Sequence, residues 1–252
     1  MRTIDTVLFD LDDTLHDDST AYKTAALTVA RDVARLYPVE PEALLRAYVA
    51  QASAFWKALS AAHLQAGIID TRAQMWHDAL CENGIDDFAL AQRCAADYGA
   101  YRSEVLVLLP GALDLVMTLR ARGCKIGIVT NGFAATHHEK VARLGLTEHI
   151  DALFLADEMG MVKPDPAIFV HACEVLGSTP DRTAMVGDRY DRDVAGAQHV
   201  GLFTVLIDIH GIPLPAGARP PDATVATVAD VLRALPLGSP GGPGGAAQNG
   251  IA

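Results

Sequence analysis

Cysteines and basic residues are sparse in this chain of 252 residues. The four cysteines form no Cys-x-x-Cys pair and lack zinc-finger spacing, so we expect four reduced packing thiols and exclude a disulfide miniprotein. Lysine and arginine together number 20 against 31 acidic residues, and the resulting net charge of −11 disfavours nucleic acid and anionic lipid as partners. Any site for an anionic substrate must therefore carry its own positive charge.

Long apolar runs are also absent. No stretch approaches the ~20 uncharged residues of a membrane helix, and the opening segment MRTIDTVLFDLDDTL becomes acidic too early for a signal peptide. These features predict a cytoplasmic protein without a membrane partner. A monomer or homodimer is expected, although no sequence feature selects between them. Hydrophobic residues make up 50% of the chain, which supplies a buried core and excludes intrinsic disorder.

Five short apolar runs have the character of buried strands. They are residues 7–9, 126–129, 152–155, 184–186 and 203–207. Their hydrophobicity is nearly continuous rather than alternating, which is typical of strands covered on both faces. Helical patterns separate them from residue 109 onward. The pattern predicts an α/β fold, a Rossmann-like parallel sheet with helices on both faces.

The long segment between the first two strands has helical periodicity throughout and predicts an inserted helical bundle. We therefore divide the chain into an α/β core over residues 1–15 and 109–237 and a helical domain over residues 16–108, with a pocket between them. Two linkers would permit hinge closure of the bundle. Residues 238–252, GSPGGPGGAAQNGIA, are expected to form a disordered tail.

Aromatic residues and histidines of the insert are expected to have mostly structural roles. Five aromatic residues are predicted to lie in the bundle core, although each could stack on a substrate's base: Tyr22, Phe55, Trp56, Trp76 and Tyr98. Three histidines are possible substrate contacts but are expected on the exposed surface: His16, His63 and His77. No role is assigned to His137 and His138, on a predicted helix further along the chain.

Carboxylates follow two of the predicted strands directly. Asp10 and Asp12 come after the first strand, and Asp188 comes after the fourth. Ligands of parallel sheets bind beyond the carboxyl ends of the strands, and clustered like charges need a compensating cation. Three hard oxygen ligands at one sheet edge suit Mg²⁺. An aspartate at such a position can also favour the start of the next helix, which is the interpretation we prefer for Asp191.

Polar side chains follow the second and third predicted strands as well. Thr130 and Asn131 offer a hydroxyl and an amide just before a glycine. Lys163 precedes a helix that a proline can begin, and we expect it to be the one cation beside the carboxylates.

Taken together, and in chain order, these residues resemble the four motifs of the haloacid dehalogenase superfamily. The matches are Asp10, Asp12 and Thr14 in the first motif, Thr130 in the second, Lys163 in the third, and Gly187, Asp188 and Asp193 in the fourth. The insert resembles the helical cap of this superfamily's subfamily I. Residues 13–15 with 130–132 are similar to the subgroup that contains nucleoside 5′-monophosphate and acylneuraminate 9-phosphate phosphatases.

The resemblance implies a phosphatase that hydrolyses a small phosphorylated metabolite through an aspartyl-phosphate. Asp10 would attack phosphorus, and Asp12 would act first as acid and then as base. Catalysis and phosphate binding would also involve Thr130, Asn131 and Lys163.

The resemblance further implies a Mg²⁺ cofactor. The ion would contact the side chains of Asp10 and Asp188 and the backbone carbonyl of Asp12. Asp193 would orient these ligands without touching the metal.

Other activities stay open at this point. A non-catalytic protein that binds a phosphometabolite or a partner is one alternative, and a phosphosugar mutase is another. Dehalogenation is disfavoured, because the superfamily's dehalogenases lack the second aspartate that Asp12 supplies here. A phosphonatase with a cap lysine is disfavoured because Lys23 and Lys57 lie on amphipathic helices, where a solvated position is expected.

Overall fold

A parallel sheet organises the chain. The computed structural model describes residues 2–64, 67–209 and 211–238. Within them the strands are β1 (Thr6–Phe9), β2 (Lys125–Thr130), β3 (Ala152–Leu155), β4 (Thr183–Gly187), β5 (Phe203–Ile207) and β6 (Ala223–Val225). Their spatial order is β3-β2-β1-β4-β5-β6, and every neighbouring pair is parallel. The predicted fold class is confirmed. β6 adds an edge strand that has no fully buried residue and hence no apolar run to predict it.

Helices form the insert after β1 and flank the sheet. The insert contains α1 (Asp18–Ala34), α2 (Pro41–Ala58), α3 (Ala61–Leu64), α4 (Ile68–Glu82) and α5 (Phe88–Glu104). The core contains α6 (Ala112–Ala121), α7 (Ala134–Arg143), α8 (Ala156–Met159), α9 (Pro166–Val175), α10 (Ala195–His199) and α11 (Val231–Ala234).

Both faces of the sheet are buried. Val7 and Phe9 point into a core shared with α6, α7 and α11. Leu8, between them, points into a separate core shared with α9 and α10. Successive side chains of a strand face opposite ways, so a strand covered on both faces needs apolar residues at every position. This is why β1 is an unbroken apolar run.

Four helices of the insert, α1, α2, α4 and α5, pack around a core of their own. Tyr48 and Trp76 stack near its centre with ring centroids 4.0 Å apart. Asp17 caps α1, since its carboxylate accepts a hydrogen bond from the backbone N–H of Thr20 at 3.1 Å, and Asp87 caps α5 in the same way. The insert is thus a bundle with its own hydrophobic centre.

The two connections between the bundle and the sheet run side by side. The backbone N–H of Leu109 donates to Leu15 O at 2.9 Å, and that of Asp17 donates to Val107 O at 3.1 Å. Between these bonds lies His16, which is fully buried with Nδ1 2.7 Å from Val107 O. The exposed position expected for His16 is therefore wrong, because the paired linkers enclose its ring.

Three other expectations concern residues away from the sheet edge. All four cysteines are free, but Cys81 is exposed, so a packing role holds only for Cys94, Cys124 and Cys173. In the part of the chain that the structure describes, no helix combines the length and the hydropathy needed to cross a membrane. Apart from Gly238, the segment expected to be a disordered tail lies outside the described residues.

Candidate active site

The carboxyl ends of β1 and β4 bring acidic side chains together. Phe9 and Val186 are paired across the two strands, and the backbone N–H of Asp10 donates to Val186 O at 2.9 Å. Asp10 and Asp188 follow these strands and so lie at the same edge of the sheet. One carboxylate oxygen from each, with one from Asp193, lie within 4.8 Å of one another.

Lys163 supplies an ammonium group to this acidic cluster. Its Nζ donates to Asp10 Oδ1 and to Asp193 Oδ1, both at 2.6 Å, and its side chain is only 2% exposed. The second oxygen of Asp193 accepts from the backbone N–H of Arg189 at 3.0 Å. Burial opposes the charge of Lys163, but Asp10 and Asp193 outweigh it and hold the pKa of Lys163 above its usual value. Asp193 therefore positions Lys163 beside Asp10.

The cluster brings three carboxyl groups together with one ammonium group. Burial, only partly offset by Lys163, raises the pKa of Asp10 to about 7. Burial, together with the charges of Asp10 and Asp193, raises the pKa of Asp188 to about 8. Ionisation of all three carboxyl groups beside one ammonium would leave two negative charges uncompensated in a buried site, and the raised pKa values reflect that cost. Hard oxygen ligands with this excess of charge fit a divalent cation such as Mg²⁺.

Asn131 joins the loop that carries Lys163 to the end of β2. Its Nδ2 donates to Lys163 O at 3.0 Å, and its Oδ1 accepts from the Lys163 backbone N–H at 2.8 Å. Thr130, the last residue of β2, is buried, and its Oγ1 accepts from the backbone N–H of Gly132 at 3.2 Å. Thr130, Asn131 and Lys163 line the same cavity as Asp10.

The side chain of Asp12 points away from this cluster and towards α7. Lys140 Nζ donates to Asp12 Oδ1 at 2.6 Å, and His137 Nε2 lies 3.3 Å from Asp12 Oδ2. Burial and the charge of Asp18 act to raise the pKa of Asp12, but Lys140 and His137 outweigh them and lower it. The expectation that Lys163 is the one cation beside the carboxylates is therefore wrong, because Lys140 is a second.

His137 and Lys140 are candidate functional residues that the sequence analysis missed. They lie three positions apart on α7, hence on one face, and both are buried. A Cβ on Gly132 would lie 2.0 Å from His137 Nε2, so the ring packs directly over the glycine that follows Asn131. The sequence contained a signal for both residues, because a helix that begins just after the second motif carries a histidine and a lysine on one face.

Asp18 extends the ionic contacts from α7 into the bundle. It accepts a hydrogen bond from Lys140 Nζ at 3.1 Å and forms an ion pair with Arg102 of α5. Burial acts to raise the pKa of Asp18, but Arg102 and Lys140 outweigh it and hold that pKa well below its usual value. The network of Asp12, Lys140, Asp18 and Arg102 thus connects the sheet edge to α1 and α5.

A cavity of about 530 Å³ lies between the sheet edge and the bundle, a volume suited to a small metabolite. Asp10, Asp12, Asp188 and Asp193 line its sheet side, where the sequence predicted a pocket. Of the five aromatic residues predicted to lie in the bundle core, three line the cavity: Tyr22, Trp56 and Tyr98. None of the three cap histidines is among the lining residues in the described part of the chain. His63 is exposed as predicted, whereas His77 is only partly exposed.

Known proteins are similar to this chain in sequence and in fold. A family model of haloacid dehalogenase-like hydrolases matches residues 4–201. The pyrimidine 5′-nucleotidase YjjG of Escherichia coli is 38% identical over 120 residues, which cover 47% of this chain and 52% of that protein. The match therefore spans about half the length of that relative. The N-acylneuraminate-9-phosphatase of Mus musculus is 29% identical over 218 residues, which cover 85% of this chain and 87% of that protein.

A solved structure has the same architecture. The magnesium-bound HAD-hydrolase YfnB of Bacillus subtilis has a TM-score of 0.75 at 22% identity, over 92% of this chain and 99% of that chain. This likeness shows a shared fold that includes the helical insert. Since the family model matches residues 4–201, which is most of the chain, the chain belongs to the haloacid dehalogenase-like hydrolase family.

Proposed function

We propose that this chain is a Mg²⁺-dependent phosphomonoester hydrolase that acts on a small cytosolic phosphate ester through an aspartyl-phosphate. The observation that carries the proposal is the buried ion pair of Lys163 and Asp10 beside Asp188, in a cavity of metabolite size. Phosphoryl transfer requires a nucleophile, a fixed positive charge and a place for a metal ion. Asp10, Lys163 and Asp188 would supply these roles in that order. The phosphatase relatives support a nucleoside 5′-monophosphate or a sugar phosphate as substrate.

Asp10 is the nucleophile of the proposed reaction. Its carboxylate oxygen bonds to phosphorus while the bond from phosphorus to the substrate's alkoxide oxygen breaks, which leaves an aspartyl-phosphate. Water then attacks the same phosphorus, and the bond to Asp10 breaks to release inorganic phosphate and the free carboxylate. Lys163, the Thr130 hydroxyl and the backbone amide of Asn131 bind the phosphoryl oxygens and keep the attacking and leaving oxygens in line.

Asp12 moves the protons. It donates one to the leaving alkoxide oxygen and later accepts one from the attacking water. Lys140 and His137 favour its ionised form before substrate binds. A phosphate dianion beside Asp12 raises its affinity for a proton, so the carboxyl takes up a proton from solvent as substrate binds.

The acidic cluster would hold Mg²⁺ through the carboxylates of Asp10 and Asp188 and the backbone carbonyl of Asp12. Asp193 would keep Lys163 and these ligands in place. A phosphate dianion ~4 Å from a carboxylate is repelled by on the order of 8 kcal/mol at an effective dielectric of 20. Lys163 offsets only part of this repulsion. When bound, Mg²⁺ supplies the positive charge that offsets the rest.

The bundle within residues 16–108 is proposed to act as a cap that closes over the core formed by residues 1–15 and 109–237. Closure would exclude water other than the attacking molecule while Asp10 reacts. An identical bundle angle in crystals with and without a phosphate analogue would contradict it. The cytoplasmic location and the monomeric or homodimeric state are proposed on the sequence alone.

The proposed activity is tested by phosphate release from a panel of small phosphate esters with wild type, Asp10→Asn and Asp114→Asn. Asp114 is a matched control because it is an exposed aspartate on α6. We expect Asp10→Asn to lose at least ~10³-fold in rate and Asp114→Asn to match wild type. Hydrolysis by Asp10→Asn at the wild-type rate would refute the mechanism. A wild-type protein inert on every ester would instead favour the mutase or the binding protein.

A further inference from the structure

Arg72, on α4, places a buried positive charge on the bundle side of the cavity. The residue is 8% exposed and lines the cavity. Among the described residues, no carboxylate lies within ion-pair distance of its guanidinium and no acceptor within hydrogen-bond distance. Its polar contact is with a ring face, since Cζ lies 5.2 Å from the centroid of Tyr98. The described residues therefore supply no acceptor for the five N–H donors of this group.

The nearest charges do not compensate Arg72. Asp18 is paired with Arg102 and Lys140, so its charge is already balanced. Burial and the nearby Arg102 lower the pKa of Arg72, which shows that its surroundings disfavour the charge. Burying an unpaired cation is costly, and an apolar side chain of similar size would occupy this position more favourably. Arginine at this position thus points to an anion that enters from outside the chain.

Charge also varies along the cavity. Its sheet side holds Asp10, Asp188 and Asp193, with Lys163 between two of them. Its bundle side holds Arg72 among tyrosine rings, together with Arg102, which is paired with Asp18, and the exposed Lys57. The chain as a whole carries a charge of −11, so an anion is repelled unless a local cation attracts it. A substrate with a single phosphate needs no cation at the bundle side.

We propose that Arg72 binds a second oxyanion of the substrate, a carboxylate or second phosphate carried by the alcohol part of the ester. The inference rests on the proposed function, because it assumes that the reacting phosphate lies at Asp10 in the same cavity. The planar guanidinium can donate two parallel hydrogen bonds to either group. Tyr22, Tyr48 and Tyr98 line the space beside Arg72 and offer ring faces and hydroxyls to the rest of the alcohol part.

The test uses two matched pairs of esters as probes. 3-Phosphoglycerate differs from glycerol 3-phosphate by a carboxylate in place of a hydroxymethyl group, and fructose 1,6-bisphosphate differs from fructose 6-phosphate by a second phosphate. The variants are Arg72→Met, Arg72→Lys and the control Arg46→Met, which changes an exposed arginine on α2. The readout is the ratio of kcat/KM within each pair, with kcat and KM measured separately.

We expect the wild type to prefer the doubly anionic member of at least one pair, and that pair identifies the oxyanion. Arg72→Met should lower the preference about 10- to 100-fold, mainly through KM, since hydrogen bonds to a charged group are lost. Arg72→Lys should keep part of the preference for the doubly anionic ester, and Arg46→Met should keep the whole preference. A ratio that Arg72→Met leaves unchanged in both pairs would overturn the inference.

Two further readouts separate this inference from the proposed hydrolysis. Equilibrium binding of the four probes to Asp10→Asn, with and without Arg72→Met, reports the oxyanion site without turnover. Loss of the preference in binding supports the site even if the wild type hydrolyses nothing. Thermal unfolding checks for a structural role: we expect Arg72→Met to unfold at an unchanged or higher Tm. A lower Tm with an unchanged preference would assign Arg72 to packing against Tyr98 and refute the site.

Discussion

Lys140 Nζ lies 2.6 Å from Asp12 Oδ1, so the carboxylate proposed to move protons is positioned by a helix outside the four motifs. The same ammonium lies 3.1 Å from Asp18 Oδ1 in the bundle. One side chain of α7 therefore contacts acidic groups of both the sheet edge and the insert. The position of Asp12 depends on α7 as much as on β1.

Replacement of Lys140 by methionine should destabilise the fold. The change leaves Asp12 without its ammonium partner and leaves Asp18 with Arg102 and the His16 ring, while both carboxylates stay partly buried. Breaking such a pair costs about 2–4 kcal/mol when the remaining charges are partly solvated. Urea denaturation measures the difference, and Lys23→Met, at an exposed position of α1, is the control. Equal stability of the two variants would show that the pair contributes nothing.

Two glycine-to-alanine changes should act in opposite directions. At Gly132 the new Cβ would lie 2.0 Å from His137 Nε2, so Gly132→Ala should displace the ring from Asp12, slow phosphate release and destabilise the fold by about 1–3 kcal/mol. At Gly99, within α5, no atom lies within 4 Å of the new Cβ, and Gly99→Ala should stabilise by about 0.5–1 kcal/mol. Thermal unfolding measures both changes. A Gly132→Ala protein as stable and active as Gly99→Ala would contradict the packing described.

Removal of the cation should be detectable without turnover. Mg²⁺ that binds the folded state at Asp10 and Asp188 raises the free energy of unfolding by about 2.7 kcal/mol at a hundred times its Kd. We expect this stabilisation in the wild type and in the Asp114→Asn control, and its loss in Asp188→Asn. A chelator should abolish both the stabilisation and phosphate release. Stabilisation of Asp188→Asn equal to that of the wild type would place the ion elsewhere.

The ion pairs of Asp18 should make stability depend on acid pH. Its pKa is held well below the usual 3.8 by Arg102 and Lys140, against the effect of burial. A carboxyl with a lower pKa in the folded state stabilises the fold above its unfolded pKa, and this contribution is lost as the pH falls through the folded value.

Asp18→Asn should therefore be less stable than the wild type near neutral pH, and the difference should shrink as the pH falls below 3.8. Denaturation midpoints measured across this range test the expectation, with Asp114→Asn as control. A difference between Asp18→Asn and the wild type that stays constant with pH would mean that these pairs are not what lowers the pKa.

Local patterns were sufficient to predict five of the six described strands and the family. The apolar run of β1, covered on both faces, and the acidic residues after it are each visible in a few consecutive letters. Their spacing along the chain matched one family, and that membership is confirmed. Helix α9 is similarly local, since Asp165 caps it and Pro166 begins it.

Contacts between distant segments could not be predicted in this way. Asp12 and Lys140 are 128 positions apart, and their pairing depends on how α7 packs beside the end of β2. The burial of His16 depends on the second linker, which contains Val107, 91 positions further along the chain. The buried position of Arg72 could not be predicted either, because a charged residue on an amphipathic helix is ordinarily assigned to the solvent face. Each of these positions is defined by tertiary packing rather than by neighbouring residues.

The hydrogen bond between Leu109 N and Leu15 O has a consequence for how such a protein can diversify. The two ends of the core lie as close together at this bond as two ends joined by a tight turn would. A segment of another length or shape could join the same two ends without moving β1 or the residues that follow it. The residues that contact the alcohol part of a substrate can therefore change in evolution, while the residues that contact its phosphate keep their positions.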